Sequence, residues 1–407
     1  MNRFDDDAHL VALRSNLGDV QALMERGLLV EPDTGRTYFT GYSYKTLYDW
    51  DQYFEAIVQI YMGWPTDYIK NGVMIFLDHQ RESGLISRSV PSNEQHDPEH
   101  IKPFLAQMAL LVEKAIGERD WTQSVAEPYF SRLKRYLDYW LIEMDGDGNG
   151  LSEWMSAPHT GMDNQHERAG FWGDRFCEGV DLNSYLVREC RAFARLATRA
   201  GQDALAAEYA AKADARAERI RALCWDEADG FFYDRNARAD QYPMSRRAGW
   251  ASALNAGAGE RIRVKTVAGF AALWAGVATP EQARRMIFEH LFNAAEFWSA
   301  HPVPAMARSE RWYSRDVHPA DLGCDWRAKA WVPTNYMIYW GLRRYGYREL
   351  ASLVAYATQR LVQRSGNREY YDAETGAGCG LDPFWGWSLL AHFMPYEEGS
   401  EGDITAI

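Results

Sequence analysis

A chain of 407 residues, 47% of them apolar, can bury a large core as one big domain or two ordinary ones. A formal charge of −13 excludes the domain-wide basic field on which general nucleic-acid binding depends. Sixteen Trp and 23 Tyr supply flat apolar platforms with polar edges, surfaces on which sugar rings stack.

The N-terminal stretch Met1-Asn2-Arg3-Phe4-Asp5-Asp6-Asp7 is acidic and has no apolar core of secretory length, so a signal peptide is not expected. No run approaches eighteen uninterrupted apolar residues, so no membrane span is expected either. Cys177, Cys190, Cys224, Cys324 and Cys379 are odd in number and widely spaced. That argues against disulfide staples and thiolate metal sites and fits a reducing cytoplasm.

Apolar spacing at i, i+3 and i+4 predicts twelve helices and few strands. They run over about 6–27, 50–62, 65–82, 103–118, 123–144, 181–200, 203–225, 264–277, 280–293, 331–346, 347–365 and 382–395. In 203–225 the buried stripe is Leu205, Tyr209, Ala213, Ile220 and Leu223, with Glu208, Lys212, Arg216 and Arg219 facing water. Some connections are short enough for antiparallel hairpins, as at Gly346-Tyr347 and Ala278-Thr279-Pro280. Others open with turn chemistry and leave room for a small hairpin, as at Asp145–Gly150, Asp226–Gly230 and Asp372–Gly376.

The helices starting near 50, 103, 181, 264, 331 and 382 are aromatic and polar on several faces, while those between them are amphipathic. Six inner helices ringed by six outer ones make an all-α (α/α)6 barrel over 1–407 as one domain. A helical solenoid or a tandem of four-helix bundles is the alternative.

Two isolated carboxylates stand out. Asp163, in His159-Thr160-Gly161-Met162-Asp163-Asn164, sits in a Gly-flanked turn between helices, where partial burial can keep an acid protonated. Glu369, in Arg368-Glu369-Tyr370-Tyr371, lies in a comparable aromatic setting, although Asp372 and Glu374 nearby resemble it. Trp50-Asp51, in Tyr48-Asp49-Trp50-Asp51, pairs a stacking plane with a hydroxyl-binding carboxylate. Asp49 and Asp51 are equally readable as acids of a helix's first turn.

With Val180-Asp181-Leu182-Asn183, Leu223-Cys224-Trp225-Asp226, Trp326-Arg327 with Trp331, Gly341–Gly346 and Phe384-Trp385-Gly386-Trp387-Ser388, these motifs occur in the order seen in glycoside hydrolase family 63. The chain resembles the bacterial mannosylglycerate and glucosylglycerate hydrolases of that family from about residue 40 to 395, and trehalases more distantly. The resemblance implies an (α/α)6 barrel and an inverting α-glycosidase, and without a Gly-x-Gly-x-x-Gly or Walker-type loop no cofactor is expected, nor is a metal. In it Asp163 is the general acid and Glu369 the general base, separated by roughly 6.5–9.5 Å to leave room for a water. The candidate substrate-binding residues are Tyr44, Trp50, Asp51, Arg88, Lys102, Gln107, Asn164, Trp326, Arg327, Lys329, Trp385 and Trp387.

Family members usually show Ile-Pro-Asn, Ser-Gln-Pro-Pro and Trp-Arg-Gly-Pro-Val-Trp where this chain has Ile86-Ser87-Arg88, Ile101-Lys102-Pro103-Phe104 and Trp326–Trp331. Each departure introduces a cation. Arg88, Lys102 and Lys329 are therefore expected to recognise an anionic group such as glycerate or a uronate, or else to pair with acids such as Glu94, Asp97, Glu99 and Asp325.

Weaker patterns remain. Asp145-x-Asp147-x-Asn149-Gly150 begins like a calcium loop but has Ser156 at the twelfth position, which favours a plain turn. His96 and His100 flank Pro98, which argues against a helical metal site, and His392 reads as a core histidine. The expected partner is a small carbohydrate, with no nucleic acid or membrane. The sequence leaves a homo-oligomer open. The rival activities are a sugar epimerase or isomerase on the same barrel, which needs paired pocket histidines, and a silent sugar-binding protein.

Overall fold

The computed structural model describes residues 4–41, 43, 45–92, 97–117, 128–171, 173–237, 256–316, 324–399 and 404–407. Every helical window contains a helix. Asp49–Tyr61, Asp67–Asp78, Leu105–Ile116, Val180–Arg199, Asp203–Leu223, Val332–Arg344 and Arg348–Ser365 fall within a few residues of expectation. Burial separates them into two kinds. All of Asp49–Tyr61 is buried, as is Leu105–Ile116 apart from Lys114 and Ile116, and Val332–Arg344 apart from its last two arginines. Asp67–Asp78 and Arg348–Ser365 bury one stripe each. Aromatic and polar residues on several faces of the first group, against a single apolar stripe in the second, are the sequence record of that difference.

Where windows and helices differ, local chemistry accounts for it. The window 6–27 divides at Leu17 into Ala8–Asn16 and Gly18–Met24. The window 264–277 keeps only a 3-10 turn, Val267–Phe270, and Ala271–Trp274, because Thr266 is extended and the Val267 N–H donates to the Ala305 carbonyl. The last helix, Leu390–Glu398, starts late: Pro383 disfavours helical backbone at Asp382, and Gly386 is non-helical. Pro128–Asp138 and Pro280–Arg285 both continue into π-helical turns, the latter after a capping box on Thr279. Strands are more numerous than expected but two or three residues long, in two- and three-stranded antiparallel sheets. Arg216, expected in water, is instead buried, because the Ser152 hydroxyl and the Asn183 side-chain oxygen accept from its guanidinium.

The chain divides into two compact units: Met1–Tyr139, Arg188–Ala213 and Leu381–Ile407 in the first, Trp140–Val187 and Asp214–Gly380 in the second. In the first, the helix Leu105–Ile116 has no local cap. Glu189, from another helix, supplies one: its carboxylate accepts from Ala106 N (2.6 Å), Gln107 N (3.1 Å) and the Tyr136 hydroxyl (2.7 Å). His100 is satisfied inside the same unit, Nδ1 accepting from Ile86 N and Nε2 donating to the Tyr136 carbonyl. Burial brings its pKa down to about 3.

Burial pushes the Glu189 carboxyl up to about 7, against the lowering effect of its hydrogen bonds. A carboxyl raised above its unfolded value of about 4.3 contributes stability that is complete below that value and lost as pH climbs through the folded one. Urea titrations of the parent and Glu189→Gln at pH 5 and pH 7.5 will show the parent's relative stability falling with pH, by up to ~3 kcal/mol.

Candidate active site

Asp163 and Glu369 both belong to the second unit, and one short segment links their surroundings. The short helix Ala157–Thr160 is capped at its start by the Ser156 hydroxyl and ends at Gly161, whose φ of +83° is open to glycine at no steric cost. The chain then turns through Met162, Asp163, Asn164 and Gln165 into a second short helix, His166–Ala169. Asp163 is half-buried, while Met162, Asn164 and Gln165 are wholly buried.

Four contacts fasten this turn to Asp325-Trp326-Arg327. The Asn164 amide nitrogen donates to Asp325 Oδ1 (3.1 Å), and Asn164 Oδ1 accepts from Trp326 N (2.8 Å). Arg327 Nη2 donates to the Asn164 carbonyl (3.1 Å), and Gln165 Nε2 donates to the Trp326 carbonyl (2.5 Å). Asn164, expected to touch substrate, has its side-chain oxygen and nitrogen both engaged within the protein.

The same segment reaches Glu369. Cys324 Sγ donates to Glu369 Oε1 at 3.8 Å, a weak thiol contact. Trp326 stacks on Trp331 with ring centroids 3.7 Å apart, and Trp331 stacks on Tyr370 at 4.5 Å. Glu369 is buried and immediately precedes the strand Tyr370–Asp372, the middle strand of a sheet with Lys329–Ala330 and Gly378–Cys379. Gly380, at φ +69°, passes so close that a Cβ there would meet Glu369 Oε2 at 2.4 Å. The neighbouring acids that resemble Glu369 in the sequence have other roles. Asp372 takes Lys329 (3.0 Å) and Arg315 (3.2 Å), and Glu374 takes Arg308 and the Tyr313 hydroxyl. Although burial opposes it, the Thr375 N–H, Lys329 and Arg315 hold the Asp372 carboxyl well below the usual range.

A buried ion cluster also contacts the turn. Arg168, with no exposed surface, forks onto Asp181 (2.9 and 3.0 Å) and Asp234 (2.6 and 3.0 Å), and its Nη1 lies 3.6 Å from Met162 Sδ. Asp181 also accepts from the Trp154 indole, and Asp234 from Val180 N. Desolvation works against the arginine, and the two carboxylates outweigh it, raising its pKa.

Each of the three cations expected at an anionic substrate has a carboxylate partner in the protein. Lys102 Nζ lies 3.1 Å from both Asp49 oxygens, with both residues buried. Arg88 Nε is 2.9 Å from Glu99, and Lys329 bridges Asp372 and the Arg315 carbonyl. Glu99 and Asp325, the latter 3.8 Å from Lys329 Nζ, are among the partners expected; Asp49 and Asp372 are not. Gln107 is likewise internal, its amide bridging the Pro103 carbonyl and Arg188.

In the first unit, Trp50 is buried with Lys102 over its ring and Trp387 6.4 Å away, and Trp385 donates to the Thr40 carbonyl. Asp51 is buried beside Glu55, whose carboxyl burial and Asp51 together push well above its usual range. Tyr44, Glu94 and His96 lie outside the described residues. The loop at 145–150 is a turn: Asp145 accepts from Gly150 N, and Asn149 spans Asp147 and Glu178. Sequence reasoning misses Asp325 and Arg168 as positioning groups. Their signal in the sequence is charge inside otherwise buried segments, which spacing alone does not distinguish from a solvated loop.

Removing the Arg168 fork leaves two buried carboxylates facing each other. Arg168→Ala will lose on the order of 3–5 kcal/mol in urea unfolding, and Arg168→Lys will not restore it, since an ammonium cannot fork onto both acids.

The Thermus thermophilus mannosylglycerate hydrolase is 37% identical to this chain over 152 residues, which are 36% of this chain and 34% of that protein. The chain therefore aligns with about a third of that relative's length. The Rubrobacter radiotolerans mannosylglycerate hydrolase is 29% identical over 346 residues, covering 71% of this chain and 72% of its own. The crystal structure of a family 63 mannosylglycerate hydrolase from Thermus thermophilus in complex with glucose shares the fold, with a TM-score of 0.70 at 20% identity over 94% of this chain and 100% of that one. The model of the mannosylglycerate hydrolase MGH1-like glycoside hydrolase domain matches residues 44–388, and the chain belongs to that glycoside hydrolase family.

Proposed function

We propose that the chain is an inverting, exo-acting α-glycoside hydrolase, one (α/α)6 catalytic domain with Asp163 as general acid and Glu369 as general base. The observation that carries this reading is the segment 324–327, which contacts Glu369 through Cys324 and the Asp163 turn through its next three residues. Two carboxylates 206 positions apart by number (369 − 163) are thereby tied to one piece of backbone.

Asp163 gives its proton to the glycosidic oxygen as the bond to the anomeric carbon breaks. Glu369 takes a proton from a water attacking the opposite face, which requires the carboxyls to stand roughly 6.5–9.5 Å apart. The Trp and Tyr faces stack on the sugar ring. The substrate is a small α-linked glucosyl- or mannosyl-type glycoside. Glycerate stays among the candidate aglycones because of the relatives' names, not because of Arg88, Lys102 and Lys329, whose charges are matched within the chain. A cytoplasmic location belongs to the same reading, supported by five cysteines that are all unbridged. Among the described residues no helix is long and apolar enough to cross a membrane.

Proton NMR of the chain with mannosylglycerate, glucosylglycerate, trehalose and kojibiose tests this. Release of the sugar first as the β-anomer is expected from at least one of them. Release as the α-anomer, or an isomerised monosaccharide, overturns the reading. Asp163→Asn and Glu369→Gln will each lower kcat by about 10²–10⁴-fold with their Tm near the parent's.

A further inference from the structure

We propose that Asp325 is a positioning residue of this site: through the Asn164 carboxamide, its carboxylate holds the turn carrying Asp163 in register with the segment that contacts Glu369. The inference rests on the assignment of Asp163 and Glu369 as acid and base.

Asp325 has no exposed surface. One oxygen, Oδ1, accepts both Asn164 Nδ2 (3.1 Å) and Arg327 N (3.0 Å), which an ionised carboxylate does more strongly than a neutral acceptor. The other, Oδ2, has no hydrogen-bond partner among the described residues, and Lys329 Nζ approaches it only to 3.8 Å. Burying an oxygen in that state costs stability. That cost is offset by the two donors that Oδ1 satisfies, so the carboxylate's use lies in what Oδ1 holds.

What it holds is an orientation. An amide side chain can lie in two flipped states, and here only one works. With its oxygen on Trp326 N (2.8 Å), the nitrogen must face an acceptor, and Asp325 Oδ1 is that acceptor. The reverse flip would set NH₂ against the Trp326 N–H and a carbonyl against a carboxylate. Asn164 follows Asp163 directly, so fixing its side chain fixes the peptide from which Asp163 projects. The segment is itself held still: the Trp331 indole donates to the Asp325 carbonyl (2.9 Å), and Trp326 stacks on Trp331. Glu369, contacted through Cys324, takes its place from the same piece of chain. A displacement of about 1 Å between acid and leaving oxygen can lower rate by about 10²-fold without weakening ground-state binding.

Four full-length variants and two readouts test the role. With mannosylglycerate as substrate, Asp325→Ala and Asn164→Asp, which sets two carboxylates face to face, will each lower kcat by about 10- to 100-fold, with KM within about threefold. Asp325→Asn retains an oxygen for Asn164 and Arg327 and will keep kcat within about threefold, with a Tm at or above the parent's. The double variant Asn164→Asp/Asp325→Asn removes the face-to-face carboxylates and exchanges donor and acceptor between the two side chains, leaves the Arg327 N–H without its acceptor, and will recover part of what Asn164→Asp loses.

Hydrogen exchange over residues 157–170 gives the activity-independent readout, faster in Asp325→Ala and Asn164→Asp and slower again in the double variant. The proposal is overturned if Asp325→Ala and Asn164→Asp both keep kcat within about threefold while Asp163→Asn is inactive, or if the double variant is no better than Asn164→Asp. If Asp325→Ala does not fold, the Asn164→Asp and double-variant pair decides. If Asp163→Asn stays active, the acid assignment falls, while the exchange result still reports whether Asp325 holds the turn.

Discussion

The Asn164 carboxamide is the joint on which the rest of the proposed site depends. Accepting from Trp326 N and donating to Asp325, it converts a flexible, Gly-led turn into a fixed one. The restraint is strong because the alternatives are costly. Inside a dry region each unmet donor or acceptor carries its full desolvation cost, so the amide has one acceptable orientation rather than two of similar energy. Gln165 and Arg327 add two further hydrogen bonds between the turn and the same segment, and Arg168 Nη1 lies against Met162 Sδ. The half-buried carboxylate of Asp163 is carried on that fixed turn.

Charge within the chain is largely spent on the chain itself. The overall charge of −13 coexists with buried cations whose partners are carboxylates: Arg168 between Asp181 and Asp234, Lys102 on Asp49, Arg88 on Glu99, Lys329 on Asp372. Pairs of this kind contribute little net stability against well-packed apolar groups, yet losing one partner is expensive. Their effect is specificity of arrangement. Lys102 sets where Asp49 and the start of the helix Asp49–Tyr61 lie, beneath Trp50, and Lys329 ties its strand to the one that follows Glu369. Cations that look like substrate ligands in the sequence thus serve as anchors for the residues around them.

Much of the fold is legible because apolar spacing marks the helices and the residue types on their faces report burial. Asp49–Tyr61 and Val332–Arg344 read as immersed on all sides, and Asp67–Asp78 and Arg348–Ser365 as half-immersed, and each is so. The failures have one cause. Thr266–Phe270 and Asp382–Trp387 carry helical apolar spacing but are held otherwise by a backbone partner at Ala305, by Pro383 and by the conformation of Gly386, none of which periodicity records. Arg216 departs from its expected place for a related reason: its spacing puts it on the wet face, and acceptors on Ser152 and Asn183, distant in sequence, draw it inside.

The sequence by itself determined the helix inventory, the division into immersed and half-immersed helices, and which carboxylates merited attention, because propensity, periodicity and turn chemistry act over a few residues. It also carried the family, through motifs whose order survives even where single residues change. Only the tertiary structure decided which charges meet. Whether Lys102 faces a ligand or Asp49, and whether Asp372 or Glu369 takes Lys329, depends on pairings between segments tens to hundreds of residues apart. Such pairings are set by the distances and desolvation of folded side chains, and no local pattern encodes them.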